Sequence, residues 1–237
     1  MSDLFVGKLF SESIENVETK EESGNLYIQG IFAQGNLLNE NGRVYPTSVL
    51  EDAFDTYKKE KIDTNRAYGE LTHPQSPEIN LERACILMTD VRQEGDKFYG
   101  KAKVLSDELP MAKILRGLLN SGGQVGVSTR GLGSAHESKY EGQNVQEVDQ
   151  YILRCVDVVA DPSVKTAYVE SITESKDYIL DKLSGEVVEL NESTYAKFES
   201  RLKNLPTNFK RRDEVLYESI VDFLNTLRAP KPKRKKK

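Results

Sequence analysis

The chain has 237 residues, of which 38% are hydrophobic and 30% are charged, a composition typical of a soluble globular protein. No apolar run approaches the roughly 18 residues of a membrane-spanning helix, and the first ten residues lack the basic and apolar regions of a secretion signal, so we expect neither a membrane protein nor a secreted one. The net charge of −5 is unevenly spread, because the last ten residues contribute seven Lys or Arg and no acid, which leaves −12 on residues 1–227.

In chain order, hydrophobic periodicity and turn residues predict strands interrupted by two helices as far as about residue 169. We expect Thr47 or Ser48 to cap the first helix and Gly122 to end the second. The predicted elements are a strand at 24–35, a loop at 36–46, a helix at 47–61, an extended segment at 66–80, two strands within 83–105, a helix at 108–123 and strands at 124–131 and 151–163. This order predicts a compact, mostly β, α+β domain.

The composition changes after residue 170. Two stretches, 194–205 and 212–227, repeat apolar residues every three to four positions, so we expect amphipathic helices that form an appendage. The basic tail lacks apolar side chains to bury and should be disordered; it would contact an acidic scaffold surface or nucleic acid, or act only as a solubilising charge. The predicted division is a domain at 1–170, a helical appendage at 171–227 and a tail at 228–237.

Ser128 lies between glycines in the short apolar stretch "GQVGVSTRG" and is either a turn serine or a nucleophile. As a nucleophile it needs a neighbouring base to accept its proton. His73 is the candidate base, because Pro74 keeps it out of helical backbone and lets it project from a strand end or a rigid loop. If the two residues lie on adjacent strands and face the same way, their Cβ atoms are about 5 Å apart.

A third group should orient the imidazole and stabilise its charged form. Asp157 lies inside the apolar run "CVDVVAD", where a carboxylate without a partner is costly, and pairing with His73 would explain its presence. Asp161 is the alternative, although its position before a proline is typical of a turn. Glu70 is a second alternative that could instead fix the loop of His73.

Thr129 and Arg130 follow the candidate nucleophile. Their backbone N–H groups are candidate donors to an oxyanion, and the neighbouring glycines let a substrate backbone approach. The Arg130 side chain has an alternative role, which is to pair with an acid on the surface.

The remaining chemistry-bearing residues predict no cofactor and no metal. Cys85 and Cys155 lie in apolar runs and should be buried thiols in a reducing compartment. His136 lies in a polar stretch that we expect to be a surface loop. No C-x-x-C or H-E-x-x-H spacing links these residues, and no glycine-rich phosphate-binding motif is present.

Four stretches occur in an order that is more specific than any one of them: "NGRVYP" (41–46), "RAYGELTHP" (66–74), "LLNSGGQVGVSTRG" (118–131) and "VDVVADPS" (156–163). Together they resemble the prohead proteases of tailed bacteriophages, which are serine proteases of capsid maturation. The resemblance implies the fold of herpesvirus assemblin, a β-rich barrel-like core surrounded by helices.

The resemblance also implies residue roles. His73, in the "HP" motif, would be the base, and Ser128, in the "GVS" motif, would be the nucleophile. Related enzymes take the third member from the strand after the serine, which here offers Asp157, with Asp161 as the second choice. An overlay on distant members places Cys155 there, which would be a poor orienting group.

As a biological role, the resemblance implies a zymogen packed inside the phage prohead in the host cytoplasm and switched on by assembly. It would digest scaffold and core proteins, trim the major capsid protein and cut itself, and it could form a homo-oligomer. The protease domain would then be residues 1–170, and the appendage would be removable. The rival hypothesis is a non-enzymatic scaffold or head component that retains the protease fold.

Proteases of the long-tailed myovirus type prefer to cut after Glu in the pattern Ile or Leu, any residue, Glu, small residue. The chain contains this pattern three times beyond the predicted core, in "ITES", "LNES" and "LYES". Glu174, Glu192 and Glu218 are therefore the candidate autocleavage sites.

Overall fold

The computed structural model describes residues 4–14, 17–160, 177–182 and 185–190. Contacts divide the chain into two units, of which the larger is Lys8–Ser175 and the smaller joins Met1–Gly7 to Lys176–Lys237. The strands are β1 (Leu4–Ile14), β2 (Glu18–Glu22), β3 (Asn25–Gln34), β4 (Arg43–Val44), β5 (Tyr68–Glu70), β6 (Ala84–Glu94), β7 (Lys97–Val104), β8 (Gly126–Tyr140), β9 (Gln143–Val159), β10 (Asp177–Asp181) and β11 (Val187–Leu190).

The larger unit is built on two sheets. In the first, the strand order is β1-β8-β9-β4, with β8 antiparallel to both β1 and β9. In the second, the order is β2-β3-β7-β6-β5, and every neighbouring pair is antiparallel. In the smaller unit, β10 and β11 form an antiparallel pair in which Asp177 lies opposite Leu190.

Strands β8 and β9 form one long hairpin, closed by a two-residue turn between Tyr140 and Gln143. Both turn residues, Glu141 and Gly142, have positive φ values of 48° and 83°. This conformation is that of a type I′ turn, whose twist matches the twist of the flanking strands. The hairpin therefore extends through the polar stretch that the sequence analysis predicted to be a loop.

Two α-helices cover the sheets, α1 (Thr47–Tyr57) and α2 (Pro110–Asn120). A π-helical turn, Lys58–Ile62, continues α1, and a short 3₁₀ helix, Leu81–Arg83, precedes β6. The buried face of α1 includes Leu50 and Phe54, as its period predicts, and Phe54 stacks on Phe98 of β7 with ring centroids 4.9 Å apart.

The predicted N-cap of α1 is wrong. Pro46 occupies the N-cap position, and no side chain there accepts a helix N–H. The Thr47 N–H instead donates to Asn36 Oδ1 at 3.3 Å, and the Thr47 hydroxyl donates to Asp96 Oδ1 at 2.5 Å. The polar groups of Thr47 at the start of the helix are therefore bonded by the preceding loop and by the β6–β7 turn, which is distant in sequence.

The predicted α+β class with a β-rich core is confirmed by two sheets and two α-helices in the described part of the chain. None of these helices is long and apolar enough to cross a membrane. The barrel-like form of the core stays a prediction. The helical appendage and the basic tail lie outside the described residues and also stay predictions.

Candidate functional site

Ser128 lies in the middle of the first sheet, on β8 between β1 and β9. Its register partners are Ser13 on β1 and Asp157 on β9. The residue is fully buried, and its Oγ has no hydrogen-bond partner among the described residues. Buried hydroxyl groups are nearly always hydrogen-bonded, so the Ser128 hydroxyl is an exception, as are the buried hydroxyls of Tyr57 and Tyr151.

Strand β9 brings the segment of His73 to the same place. Beyond β5, Leu71 forms a parallel bridge with Val158, and the Thr72 N–H donates to the Val158 carbonyl at 2.7 Å. On the other side of β9, Val158 is the register partner of Val127, the residue before Ser128. The His73 segment thus pairs with β9 rather than with β8, and three distant stretches of sequence converge at one end of β9.

Burial favours the neutral form of His73. The residue is half-buried, and burial lowers its pKa below the ordinary histidine value. The negative charge of Asp157 raises that pKa, whereas the positive charge of Arg130 lowers it, and the net shift is downward. A histidine that is neutral at physiological pH can accept a proton, as a general base must.

Asp157 is fully buried and has four hydrogen-bond donors around it. Arg130 donates from Nε to Oδ2 at 2.7 Å and from Nη2 to Oδ1 at 3.3 Å. The Glu70 N–H donates to Oδ1 at 2.9 Å, and the Cys155 thiol donates to the same oxygen at 3.4 Å. The carboxylate in this apolar strand is therefore stabilised first of all by a buried arginine, a partner that the sequence analysis did not assign.

The Arg130 guanidinium is itself fully buried and is not exposed to a substrate. Besides Asp157, its Nη2 donates to Glu70 Oε1 at 3.0 Å, and its Nη1 donates to the carbonyls of Ser76 and Glu78, the latter at 3.0 Å. The alternative role given to Arg130, pairing with an acid, matches these contacts, except that both acids lie in the interior. All of these partners but Asp157 belong to the chain segment 70–80, which includes His73.

The backbone of Thr129 and Arg130 lies inside a three-stranded ladder. Thr129 is the register partner of Glu12 and Val156, and Arg130 is that of Ser11 and Cys155. In a strand with antiparallel neighbours on both sides, the N–H groups point at those neighbours. Their use as oxyanion donors therefore requires a ladder hydrogen bond to open when substrate binds.

A family model for the prohead core protein serine protease matches residues 4–177. The chain belongs to this family. The prohead core protein protease of Enterobacteria phage T4 is 36% identical to it over 153 residues, which are 64% of this chain and 72% of that protein. The solved structure of the bacteriophage T4 capsid assembly protease, gp21, is 34% identical with a TM-score of 0.53, and the match covers 66% of this chain and 96% of that one.

Family membership makes the chain a prohead protease of capsid maturation, and the resemblance carried by the four sequence stretches is confirmed. The matched region contains all four stretches and every candidate member of the triad. Asp161 and Glu174 lie in the matched region but outside the described residues, and Glu192 and Glu218 lie outside both.

The first of the four stretches folds around an acid that the sequence analysis missed. Glu12 on β1 accepts hydrogen bonds from Asn39 Nδ2 at 2.6 Å, Asn41 Nδ2 at 2.7 Å and the Tyr45 hydroxyl at 2.8 Å, and it pairs with Arg43. Since Glu12 is the register partner of Thr129, this cluster fixes the loop before α1 beside β8, the strand of Ser128 in this prohead protease. The hint in the sequence was the concentration of donors in "NENGRVY", which needs an acceptor.

Of the other described candidate groups, only Cys155 contacts this site, through the Asp157 carboxylate. Burial raises the pKa of the Cys85 and Cys155 thiols, as expected for inert cysteines. His136 is exposed as predicted, but it lies on β8 rather than in a loop, with Nδ1 2.7 Å from Asp149 Oδ1. No group of three metal-ligating side chains occurs within the described ranges of the chain. A cleft of about 240 Å³ between α1 and β9 includes neither His73 nor Ser128 in its lining.

Proposed function

We propose that this prohead protease is a serine endopeptidase in which Ser128 is the nucleophile and His73 the general base. The observation that carries the proposal is the convergence at one end of β9, where Val158 binds the Thr72 N–H and Asp157 lies opposite Ser128. The buried, unpartnered Ser128 hydroxyl and the lowered pKa of His73 both support these roles.

In the proposed mechanism, Ser128 Oγ attacks the carbonyl carbon of the scissile peptide while its proton passes to His73. The tetrahedral intermediate collapses when the imidazolium returns that proton to the leaving amine, which leaves an acyl-enzyme. A water molecule, deprotonated by His73, then attacks the ester, and the imidazolium gives that proton to Ser128 Oγ as the acid is released. Asp157 stabilises the imidazolium, because its negative charge is close enough to raise the pKa of His73.

Asp157 is the third member in this proposal, and Glu70 and Asp161 are the alternatives. Glu70 is fully buried like Asp157, but its carboxylate binds Arg130, Arg83 and the Asn80 N–H. These contacts support the role of fixing the loop of His73, which the sequence analysis gave as the alternative for this residue.

The proposed substrates are the scaffold and core proteins and the major capsid protein of the prohead, together with the chain itself. Within the chain, the protease domain would be residues 1–170, and self-cleavage after Glu174, Glu192 or Glu218 would remove the helical appendage and the basic tail. Ser128 and Asp157 are both fully buried, which supports a zymogen whose site must open before a substrate reaches it.

Active-site labelling tests the catalytic proposal. A fluorophosphonate probe should modify Ser128 of the purified protein under conditions that permit self-cleavage, and Ser128→Ala and His73→Ala should abolish labelling. His136→Ala is the matched control, because it removes the other histidine, whose side chain is exposed on β8. Labelling that is absent in the wild type, or equal in wild type and His73→Ala, would favour the rival hypothesis of a non-enzymatic head component.

Self-cleavage is tested by the intact mass of wild type and Ser128→Ala after incubation, with or without a co-expressed scaffold protein. We expect fragments that end at Glu174, Glu192 or Glu218 only in the wild type. Replacing each glutamate by glutamine should remove its own fragment. Fragments that persist in Ser128→Ala would point to a contaminating protease.

A further inference from the structure

We propose that Arg130 is a positioning residue that holds the His73 segment against the strands of Ser128 and Asp157. This inference rests on the proposed function, since it assigns a role in placing the catalytic base. Arg130 is two residues from Ser128 on β8, and its side chain therefore projects from the same face of the sheet as the nucleophile.

The contacts of the Arg130 guanidinium extend in two directions. On the sheet, Nε and Nη2 bind the Asp157 carboxylate. Toward the His73 segment, Nη2 binds the Glu70 carboxylate, and Nη1 binds the carbonyls of Ser76 and Glu78. One side chain thus connects β8 and β9 to the chain on both sides of His73, three residues before it and three and five residues after it.

A second arginine completes the connection at the residue next to the base. Glu70 Oε2 accepts from Arg83 Nε at 3.1 Å, and Arg83 Nη2 donates to the Leu71 carbonyl at 2.7 Å and to the Thr72 hydroxyl at 2.5 Å. Thr72 has a φ of 59°, a conformation that is rare and strained for a β-branched residue. The chain turns toward His73 through this strained residue, and such strain persists only where the surroundings hold it.

The chemistry of the site requires arginine. The planar guanidinium presents five donors at fixed angles and can bind two carboxylates and two carbonyls at once, whereas an ammonium group on a flexible stem cannot. Glu70 and Asp157 would otherwise be two buried negative charges close together, which is costly without a cation between them. Arg130 therefore both offsets the repulsion within this pair and fixes the distance between β9 and the His73 segment.

Arg130→Lys tests the proposal, because it keeps the positive charge and removes most of the geometry. Arg116→Lys is the matched control: Arg116 also binds two backbone carbonyls, of Val104 and Leu105, but it lies on α2 and contacts none of the groups around His73. Two readouts are measured on the full-length protein: the rate at which the fluorophosphonate modifies Ser128, and amide hydrogen exchange in residues 71–80, the latter in the Ser128→Ala background.

We expect Arg130→Lys to slow labelling by about 10- to 100-fold, the range expected for a displacement of up to 1 Å, and to raise exchange in residues 71–80 while β8 and β9 stay protected. Arg116→Lys should match the wild type in both measurements. A third measurement is the pH dependence of labelling with Arg130→Met, for which the acid limb should move to higher pH, because the charge of Arg130 lowers the pKa of His73 against the opposing effect of Asp157.

The outcomes separate this inference from the proposed function. If the wild type is labelled and Arg130→Lys reacts at the wild-type rate, the positioning role is refuted. If the wild type is not labelled at all, the proposed function fails, and hydrogen exchange alone decides whether Arg130 holds the segment. A uniform rise in exchange over β8, β9 and residues 71–80 would refute positioning, since it would show a general loss of stability.

Discussion

Gly69 of β5 lies against the backbone of β9, and replacing it by alanine should displace His73, the proposed base. A Cβ atom at this position would lie 2.0 Å from the Val156 carbonyl oxygen and 2.8 Å from Ile86 Cγ1. Carbon and oxygen atoms rarely approach closer than about 3.3 Å, even in the short contacts between strands. Gly69→Ala therefore forces β5 and β9 apart by about 1 Å.

The consequences follow from what lies next along the chain. The Glu70 N–H donates to Asp157 at 2.9 Å, and the Thr72 N–H donates to Val158 at 2.7 Å, so a 1 Å separation breaks or weakens both hydrogen bonds. Overpacking costs about 1–3 kcal/mol, and each lost hydrogen bond about 1 kcal/mol. We expect a loss of about 3–5 kcal/mol in the free energy of unfolding and a roughly 100-fold slower modification of Ser128, the usual effect of a 1 Å misplacement.

The assay compares fluorophosphonate labelling and urea unfolding for three alanine variants. Gly100→Ala is also overpacked, because its Cβ would lie 2.2 Å from the buried ring of Phe32, but it lies between β3 and β6, away from His73. Gly117→Ala has nothing within 4 Å and lies in α2, so it should be more stable by about 0.5–1 kcal/mol and be labelled normally. The comparison separates misplacement of the base from loss of stability.

The result that would refute this reasoning is a Gly69→Ala protein labelled at the wild-type rate. Equally damaging would be a loss of labelling that matches only the unfolded fraction, as we expect for Gly100→Ala. Either result would mean that the short distance between Gly69 and Val156 does not determine where His73 lies.

Three further predictions concern charges and thiols. The acid limb of the labelling rate should have its midpoint below the ordinary histidine pKa of about 6.5, because burial lowers the pKa of His73; a wild-type midpoint above 6.5 would contradict this. Asp157→Asn should move the midpoint lower still, since that carboxylate raises the pKa of His73, and a midpoint above the wild-type value would contradict that. Glu12→Ala should lower the free energy of unfolding in urea by about 3 kcal/mol, because it leaves the mostly buried Arg43 without its acid. Glu94→Ala removes the acid of an exposed pair with Arg92 and should change this free energy little; equal effects would count against a stabilising role of the Glu12 cluster. Iodoacetamide should leave the folded protein unmodified at pH 7.5 and alkylate both cysteines after denaturation, since burial raises the pKa of their thiols. Rapid modification of the native protein, measured by intact mass, would disprove this.

Local patterns along the chain predicted the elements whose periodicity is strong. The two helices and the central strands are where the sequence analysis placed them, because one face of each is apolar. The long outer part of the β8–β9 hairpin was missed, since its alternating residues are mostly polar and only the turn at Glu141–Gly142 reveals it. Strand β1 was missed as well, and with it the acceptor at Glu12.

The candidate site was only partly predictable, because its most important partner is far away in sequence. From the sequence, an arginine such as Arg130, two residues from the proposed nucleophile, is expected at the surface or in contact with a substrate, since arginine is rarely buried without a partner. The two acids that bury Arg130 are 60 and 27 residues away, and no local pattern links them. The apolar surroundings of Asp157 correctly indicated that this carboxylate needs a partner, but the sequence analysis named only His73 for that role and not Arg130.

The buried network of Asp157, Arg130, Glu70 and Arg83 also accounts for how the proposed base and nucleophile, in two different stretches of chain, are held together. The residues around His73 form little regular structure of their own: β5 has three residues, and the next regular element is a 3₁₀ helix of three. A base on such a segment must be held in place by contacts with other parts of the chain, since catalysis tolerates only displacements well under 1 Å. This fixation comes from a chain of contacts between β9 and Thr72. Its members, each bound to the next, are Asp157, Arg130, Glu70, Arg83 and Thr72. The stability of β8 and the placement of the proposed base are therefore coupled through the Arg130 guanidinium, so a variant such as Arg130→Lys should impair labelling well before it unfolds the sheet.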